Sequence, residues 1–208
     1  SSFRQWGGED IEFGFRAFNW GGVLVPERKA IAWHQGEGAA PDPAEELSLV
    51  QQRHRLAHLI AEKTFRRSVA GRSFEVPLMT VSLEVLDETF DEVAEQIDAV
   101  LASDFHDLVV GVSVPTSHPD QVRLEREYGN DPRVLIVDDL LAAVPHAAFR
   151  LEVPSRVILH PLDIGILFRG LEDRGLVRVD LGRTGELRMA RTRALRRAEH
   201  AGVDDVWT

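Results

Sequence analysis

The chain has 208 residues, no cysteine and a net charge of −10, enough for one large domain or two small ones. The acidic balance argues against a general binder of nucleic acid or anionic membranes, and the lack of cysteine excludes disulfides, thiol catalysis and thiolate metal sites. No apolar run is long enough to span a bilayer and the first residues lack a signal-peptide pattern, so a cytoplasmic location is expected. One local exception to the charge is a cluster of arginines, Arg53, Arg55, Arg66, Arg67 and Arg72.

Near the start the chain reads Trp6-Gly7-Gly8-Glu9-Asp10. Ile11, Phe15 and Phe18 then recur at helical spacing, and Gly21-Gly22 end the pattern. Glu9 and Asp10 fall at the start of this helix, where its dipole favours negative charge. Residues 23–25 and 30–33 read as short strands around a Pro26-Glu27-Arg28 turn, with His34 directly after the second. Asp42-Pro43-Ala44-Glu45 has the form of a capping box with proline at the first helical position. The helix it opens is expected to run to about Val69, with Gly71 closing it.

The character changes near residue 75. Residues 76–85 read as a strand and 87–102 as an amphipathic helix with Phe90, Val93, Ile97 and Leu101 on one face. Strands are expected at 108–114, 134–137, 151–158 and 176–180. Helices are expected at 120–128 and 161–171, with a basic one at 189–201. This alternation predicts an α/β fold with a mainly parallel sheet flanked by helices. The change of character suggests two units, 1–74 and 75–208.

The run Trp6-Gly7-Gly8-Glu9-Asp10-Ile11-Glu12-Phe13-Gly14-Phe15-Arg16-Ala17, followed by Ala32-Trp33-His34-Gln35-Gly36, resembles the C-terminal half of a GT-A (Rossmann-like) glycosyltransferase catalytic domain. The likeness is to the inverting, family-two type and its galactosyltransferase and galactofuranosyltransferase relatives, and it covers roughly a third of the chain. The resemblance implies transfer of a sugar, with inversion, from a nucleotide-sugar donor to a glycan or other hydroxyl acceptor. It implies Asp10 as the base and Glu9 as a ligand to acceptor hydroxyls. Trp6 would offer an apolar face to a sugar ring, and Gly7 and Gly8 would let the backbone approach it without a Cβ. His34 matches the family's histidine ligand to a divalent metal, Mn²⁺ or Mg²⁺. The residue types suit the chemistry: inversion needs a base for the acceptor hydroxyl, a carboxylate at a helix start stays ionised, and a departing diphosphate needs its charge neutralised. In the family a nucleotide-binding half precedes this motif.

Blander roles compete at each position. Glu9 and Asp10 also serve simply as complements to a helix dipole. Trp6, Trp20 and Trp33 also suit a core, the preferred reading for Trp20. His54 and His58 lie one helical turn apart without a third ligand and read as an ordinary helix face. Arg53-His54-Arg55-Leu56 resembles an Arg-Asn-Arg-Leu stretch of the galactofuranosyltransferase-like group, but His54 departs from it and carries no role over.

From residue 75 the order of elements resembles the nucleotide-binding half of a second GT-A domain. Residues 161–167 would follow its metal-binding turn, and 189–198 would introduce its acceptor site. The expected Asp-X-Asp is missing: the stretch reads Leu151-Glu152-Val153-Pro154-Ser155-Arg156, where only Glu152 suits a metal and Arg156 opposes one. Pro115-Thr116-Ser117-His118 replaces the acids that contact the nucleoside, and Asp138-Asp139 read as a strand-end cap or turn. This implies a degenerate, non-catalytic domain for acceptor docking, homo-oligomerisation or scaffolding. Two alternatives stand beside it: a glycan- or protein-binding module without chemistry, and a single rearranged domain in which Asp10 and Glu152 share one cleft.

Overall fold

The computed structural model describes residues 8–31, 43–67, 70–174 and 176–203. The helices α1 (Glu9–Asn19) and α2 (Pro43–Leu59) come first. There follow β1 (Met79–Glu84), α3 (Phe90–Leu101), β2 (Leu108–Ser113), α4 (Gln121–Tyr128), β3 (Val134–Ile136) and the short α5 (Leu140–Ala143). The chain closes with β4 (Phe149–Val153), α6 (Asp163–Arg174), β5 (Leu176–Asp180), a 3-10 turn at Gly182–Thr184, β6 (Glu186–Arg191) and α7 (Thr192–His200).

All six strands lie in one sheet, ordered β3-β2-β1-β4-β6-β5. β3, β2, β1 and β4 are parallel, whereas β6 runs antiparallel to both β4 and β5. The class is α/β as expected, but the sheet is mixed. The antiparallel element comes from residues 189–201, expected as one basic helix, which divide between β6 and α7. Leu187 and Met189 point into the core and Glu186 and Arg188 away from it, a strand alternation too short to stand out beside the arginine-rich helix.

Strand alternation places Met79, Val81, Leu83, Val110, Leu151 and Val153 on the core face. Val93 and Ile97 of α3, Leu124 of α4 and Ile164 and Leu171 of α6 cover them. Each such side chain contributes roughly 1.5–3 kcal/mol by leaving water. α3 starts where Thr89 accepts from the Glu92 amide and Glu92 accepts from the Thr89 amide, a complete capping box. The opposite face is polar. Ser82, Glu152, Arg188 and Arg178 occupy one cross-strand row over β1, β4, β6 and β5. Gly111 on this face lies under α5, where a Cβ would come within 2.5 Å of Leu140.

The segment before residue 75 packs against the strand-start edge of the sheet. α2 ends at Leu59 rather than near 69, because Ile60 and Ala61 turn into the core, each 1% exposed. Arg66 then donates from Nε and Nη2 to Asp107 (2.8 and 3.0 Å) and from Nη1 to the carbonyls of Ala57 and Val76. At the end of α1, Asn19 donates to the His146 carbonyl and Arg197 of α7 to those of Gly21 and Gly22.

Three further expectations are corrected. Residues 23–25 and 30–31 form no strand, since none of the described strands pairs with them, and Val23, Leu24, Val25 and Ile31 are each at least 67% exposed; residues 32 and 33 lie outside the described residues. Trp20 is not core: it is 47% exposed, with the Arg196 guanidinium 4.4 Å from its ring. The strand expected at 151–158 begins at Phe149 and stops at Val153, because Pro154 has no amide to donate and Arg156 adopts φ 61°. Among the described residues no helix is long and apolar enough to cross a membrane.

Candidate functional site

In open α/β sheets, ligands settle outside the carboxyl ends of the strands where the strand order reverses. Here that place lies between β1 and β4. A crevice of about 390 Å³ opens there, lined by Ser82, Glu84, Glu152, Ser155, Glu186 and Arg188 among others. A second recess of about 390 Å³ lies between the loops after β1 and β2, bordered by Asp87, Glu88, Ser117, His118 and Asp120. Arg156, in the loop after β4, reaches the loop after β1 and the first turn of α3: its Nη2 is 2.9 Å from Asp87 and its Nε 3.8 Å from Glu92. Its left-handed backbone is costly for a non-glycine residue, and such strain concentrates at functional sites.

The crevice carboxylates already have cationic neighbours. Arg188 lies 3.9 Å from Glu152 and 3.2 Å from Glu186, and Arg178 donates from Nε to Glu186 at 2.8 Å. Burial pushes the Glu152 carboxyl up, with Arg188 and Arg150 pulling it back, although half the side chain (49%) still meets solvent. Behind it, burial first and then Arg196 bring Arg150 down to about 10, despite the pull of Asp139 and Glu152. Arg150 donates from Nη2 to the Val144 carbonyl at 3.1 Å, and its Nε has no partner among the described residues.

The loop recess is braced from within. Glu88 is 1% exposed, and its Oε2 accepts from the Leu86 and Asp87 amides at 2.7 and 3.1 Å. His118 Nδ1 accepts the Asp120 amide at 3.2 Å, so its Nε2 carries the proton donated to the Glu88 carbonyl at 2.9 Å. Asp120 accepts the Phe90 amide at 3.1 Å. His118 thus holds the loop after β2 against the loop after β1. Asp139 caps α5 through the Ala142 amide, the structural role its position after a strand suggested.

A metal with a diphosphate does not fit the crevice. Arg188 and Arg178 compete for its carboxylates, and among the described residues no three His, Asp or Glu side chains are grouped to hold a metal ion.

The Glu9–Asp10 motif sits elsewhere. Gly8 turns into α1 at φ 83°, and a Cβ there would approach Leu56 to 3.1 Å, so both space and backbone favour glycine. Glu9 and Asp10 are exposed, and Asp10 Oδ1 accepts the Ile11 amide at 2.8 Å. Both ends of α1 are held at the strand-start edge: Gly8 by Leu56, two residues before the His58 carbonyl that accepts the Val76 amide, and Asn19 by His146. Asp10 is not among the residues that line the crevice containing Glu152. Trp6, Gly7 and His34 lie outside the described residues.

Two other hollows lie among the described residues. Phe13, Arg16, Trp20, His146 and His200 border one of about 500 Å³ beside α1. Burial, then Arg16, push His146 below its ordinary value, with Glu12 opposing and Arg196 adding to the effect. Another, of about 620 Å³, is lined by Arg53, His54, Lys63, Arg67 and Arg72 among others. The sequence marked the arginine cluster but not its concavity. It did not mark Arg188, hidden in the unrecognised β6, or Glu88, masked as part of a helix start.

No protein-family model matches the chain, and no curated protein matches it.

Proposed function

We propose that this chain is part of an inverting glycosyltransferase of GT-A type, passing a sugar from a nucleotide-sugar donor to a glycan or other hydroxyl acceptor. Asp10 is the base and Glu9, with Trp6, Gly7 and Gly8, the acceptor-binding side. The observation that carries this reading is the turn at Gly8, which presents two exposed carboxylates at the start of an eleven-residue helix. A base must be positioned and reachable by the acceptor, and this arrangement supports both.

In this reading residues 1–74 belong to one catalytic domain and 75–208 to a second, non-catalytic one. The exposed Val23, Leu24, Val25 and Ile31 support it, since a donor-binding half would cover such a strip and pair its backbone. His34 and a Mn²⁺ or Mg²⁺ ion belong to the completed site. In the intact enzyme, Asp10→Asn is expected to lower transfer by about 10²–10⁴-fold while donor binding survives. Near-normal turnover in that variant sinks the assignment.

A second reading, a glycan- or protein-binding assembly module, is favoured by the arginines among the crevice carboxylates. Calorimetry with Mn²⁺ and nucleotide sugars separates the two. Binding by a longer form of the protein but not by these residues supports the divided enzyme, and binding by neither supports the module.

A further inference from the structure

We propose that the basic cavity beside α2 is a binding site for a ligand carrying two or more linked phosphate groups. This does not rest on the glycosyltransferase reading, because the cavity contains neither Glu9 nor Asp10. Its volume, about 620 Å³, falls within the range of small-ligand sites.

Three observations converge on it. The first is uncompensated charge. Arg53, Arg67 and Arg72 are exposed at the cavity and have no ion pair among the described residues. The nearby carboxylates are engaged elsewhere: Glu75 pairs with Arg55, Asp107 is closed off by Arg66, and Glu62 acts on Arg193. In a chain of net charge −10, three converging arginines with no ion pair among the described residues make a local field that draws in an anion.

The second is rigidity. Arg66 uses all three guanidinium nitrogens on Asp107, Ala57 and Val76, which pins the loop carrying Lys63 and Arg67 to the sheet. Phe74 lies against Arg66 (4.1 Å), Arg72 (4.7 Å) and the His58 ring (5.5 Å), and so orients Arg72. A preformed site spends less of its binding energy on ordering side chains. The third is crowding: besides burial, the like charge of Arg72 lowers the proton affinity of Arg66 against the pull of Asp107, a repulsion that a bound anion relieves.

Arginine selects the ligand class. A guanidinium fork matches the oxygens of carboxylate or phosphate in pairs, and three forks outnumber what one carboxylate can accept. Linked phosphates supply enough oxygens within the cavity. A long polyanion such as nucleic acid is disfavoured by the acidic remainder of the molecule.

The test is titration of the whole chain with inorganic pyrophosphate by calorimetry at low salt. The expected result is saturable binding that weakens as salt rises. Arg67→Gln with Arg72→Gln should weaken it about tenfold or more, and Arg53→Gln alone less. These side chains are exposed, so thermal melting should stay unchanged; Arg126→Gln, on α4 away from the cavity, should bind as the parent does. No pyrophosphate binding, equal binding by the double variant, or an equal loss in Arg126→Gln overturns the proposal. A nucleoside diphosphate and phosphatidylcholine vesicles bearing a lipid diphosphate then identify the source. Tighter binding of the first supports a soluble ligand, and tighter binding of the second supports a lipid headgroup.

Discussion

Replacing Asp107 by alanine should remove a large part of the stability of this protein. The Arg66 and Asp107 side chains are 1% and 3% exposed. The carboxylate accepts from Arg66 Nε and Nη2 and from the Leu78 amide at 2.9 Å, directly before β1. Without it a buried guanidinium keeps its charge and loses its counter-ion, a loss of about 3–5 kcal/mol. The Leu78 amide loses its acceptor as well, typically about 1–3 kcal/mol. The two losses share one carboxylate, so about 4–6 kcal/mol is expected together, against a total of about 5–15 kcal/mol for a typical domain. Urea denaturation measures this as a lower midpoint at an unchanged slope. The reasoning makes a second demand. Burial pushes the Asp107 carboxyl up despite Arg66 and the Leu78 amide, so holding the pair charged is itself costly. Arg66→Met combined with Asp107→Leu should therefore recover most of the loss. A loss below about 1.5 kcal/mol for Asp107→Ala, or a double variant worse than the single one, refutes the account.

Three further outcomes follow from local geometry. His146 is held below its ordinary 6.5 by burial and Arg16, so the unfolded chain takes up a proton that the folded one resists. Its contribution is present above pH 6.5 and is lost as pH falls from there through the folded value; melting temperature should drop over that window, and His146→Gln should flatten the slope. Thr89→Ala removes one half of the capping box of α3 and should destabilise by about 1 kcal/mol in chemical denaturation. Gly111→Ala drives a methyl within 2.5 Å of Leu140 in a packed layer and should lose about 1–3 kcal/mol by the same assay, with Leu140→Ala in the same chain restoring part of the space.

Elements whose pattern is set by burial were legible in the sequence. α3 repeats Phe90, Val93 and Ile97 toward one layer, and β2 is a continuous apolar run between two neighbours. Elements decided by a distant partner were not. Residues 23–25 have strand composition, but composition supplies no neighbour, and without one the backbone stays open. α2 looked longer because residues 60–69 keep helix-compatible side chains; the buried Arg66–Asp107 pair, closed across 41 positions, draws the chain onto the sheet instead. At the candidate sites the pattern is the same. The acidic turn at Gly8 could be read from adjacent residues, whereas the basic cavity needs α2 folded against the loop that follows it.

The sequence placed one obstacle to a metal in the crevice, Arg156, because it follows Glu152 closely. In the folded protein Arg156 turns away in a left-handed conformation and pairs with Asp87 and Glu92, while Arg188 arrives from β6 at the position in register with Glu152. Antiparallel pairing is what makes this possible: it sets Glu152 opposite Arg188 and Arg188 opposite Arg178, so three charges share one row of the polar face. Glu152 attracts Arg188 across β4 and β6, while Arg188 and Arg178 are like charges set opposite each other and held together by Glu186, with which both pair. The same carboxylates cannot also serve a metal without giving up those partners. The charge at this edge therefore goes into ion pairs among β4, β6 and β5, with Glu186 and Glu152 holding the two arginines in place.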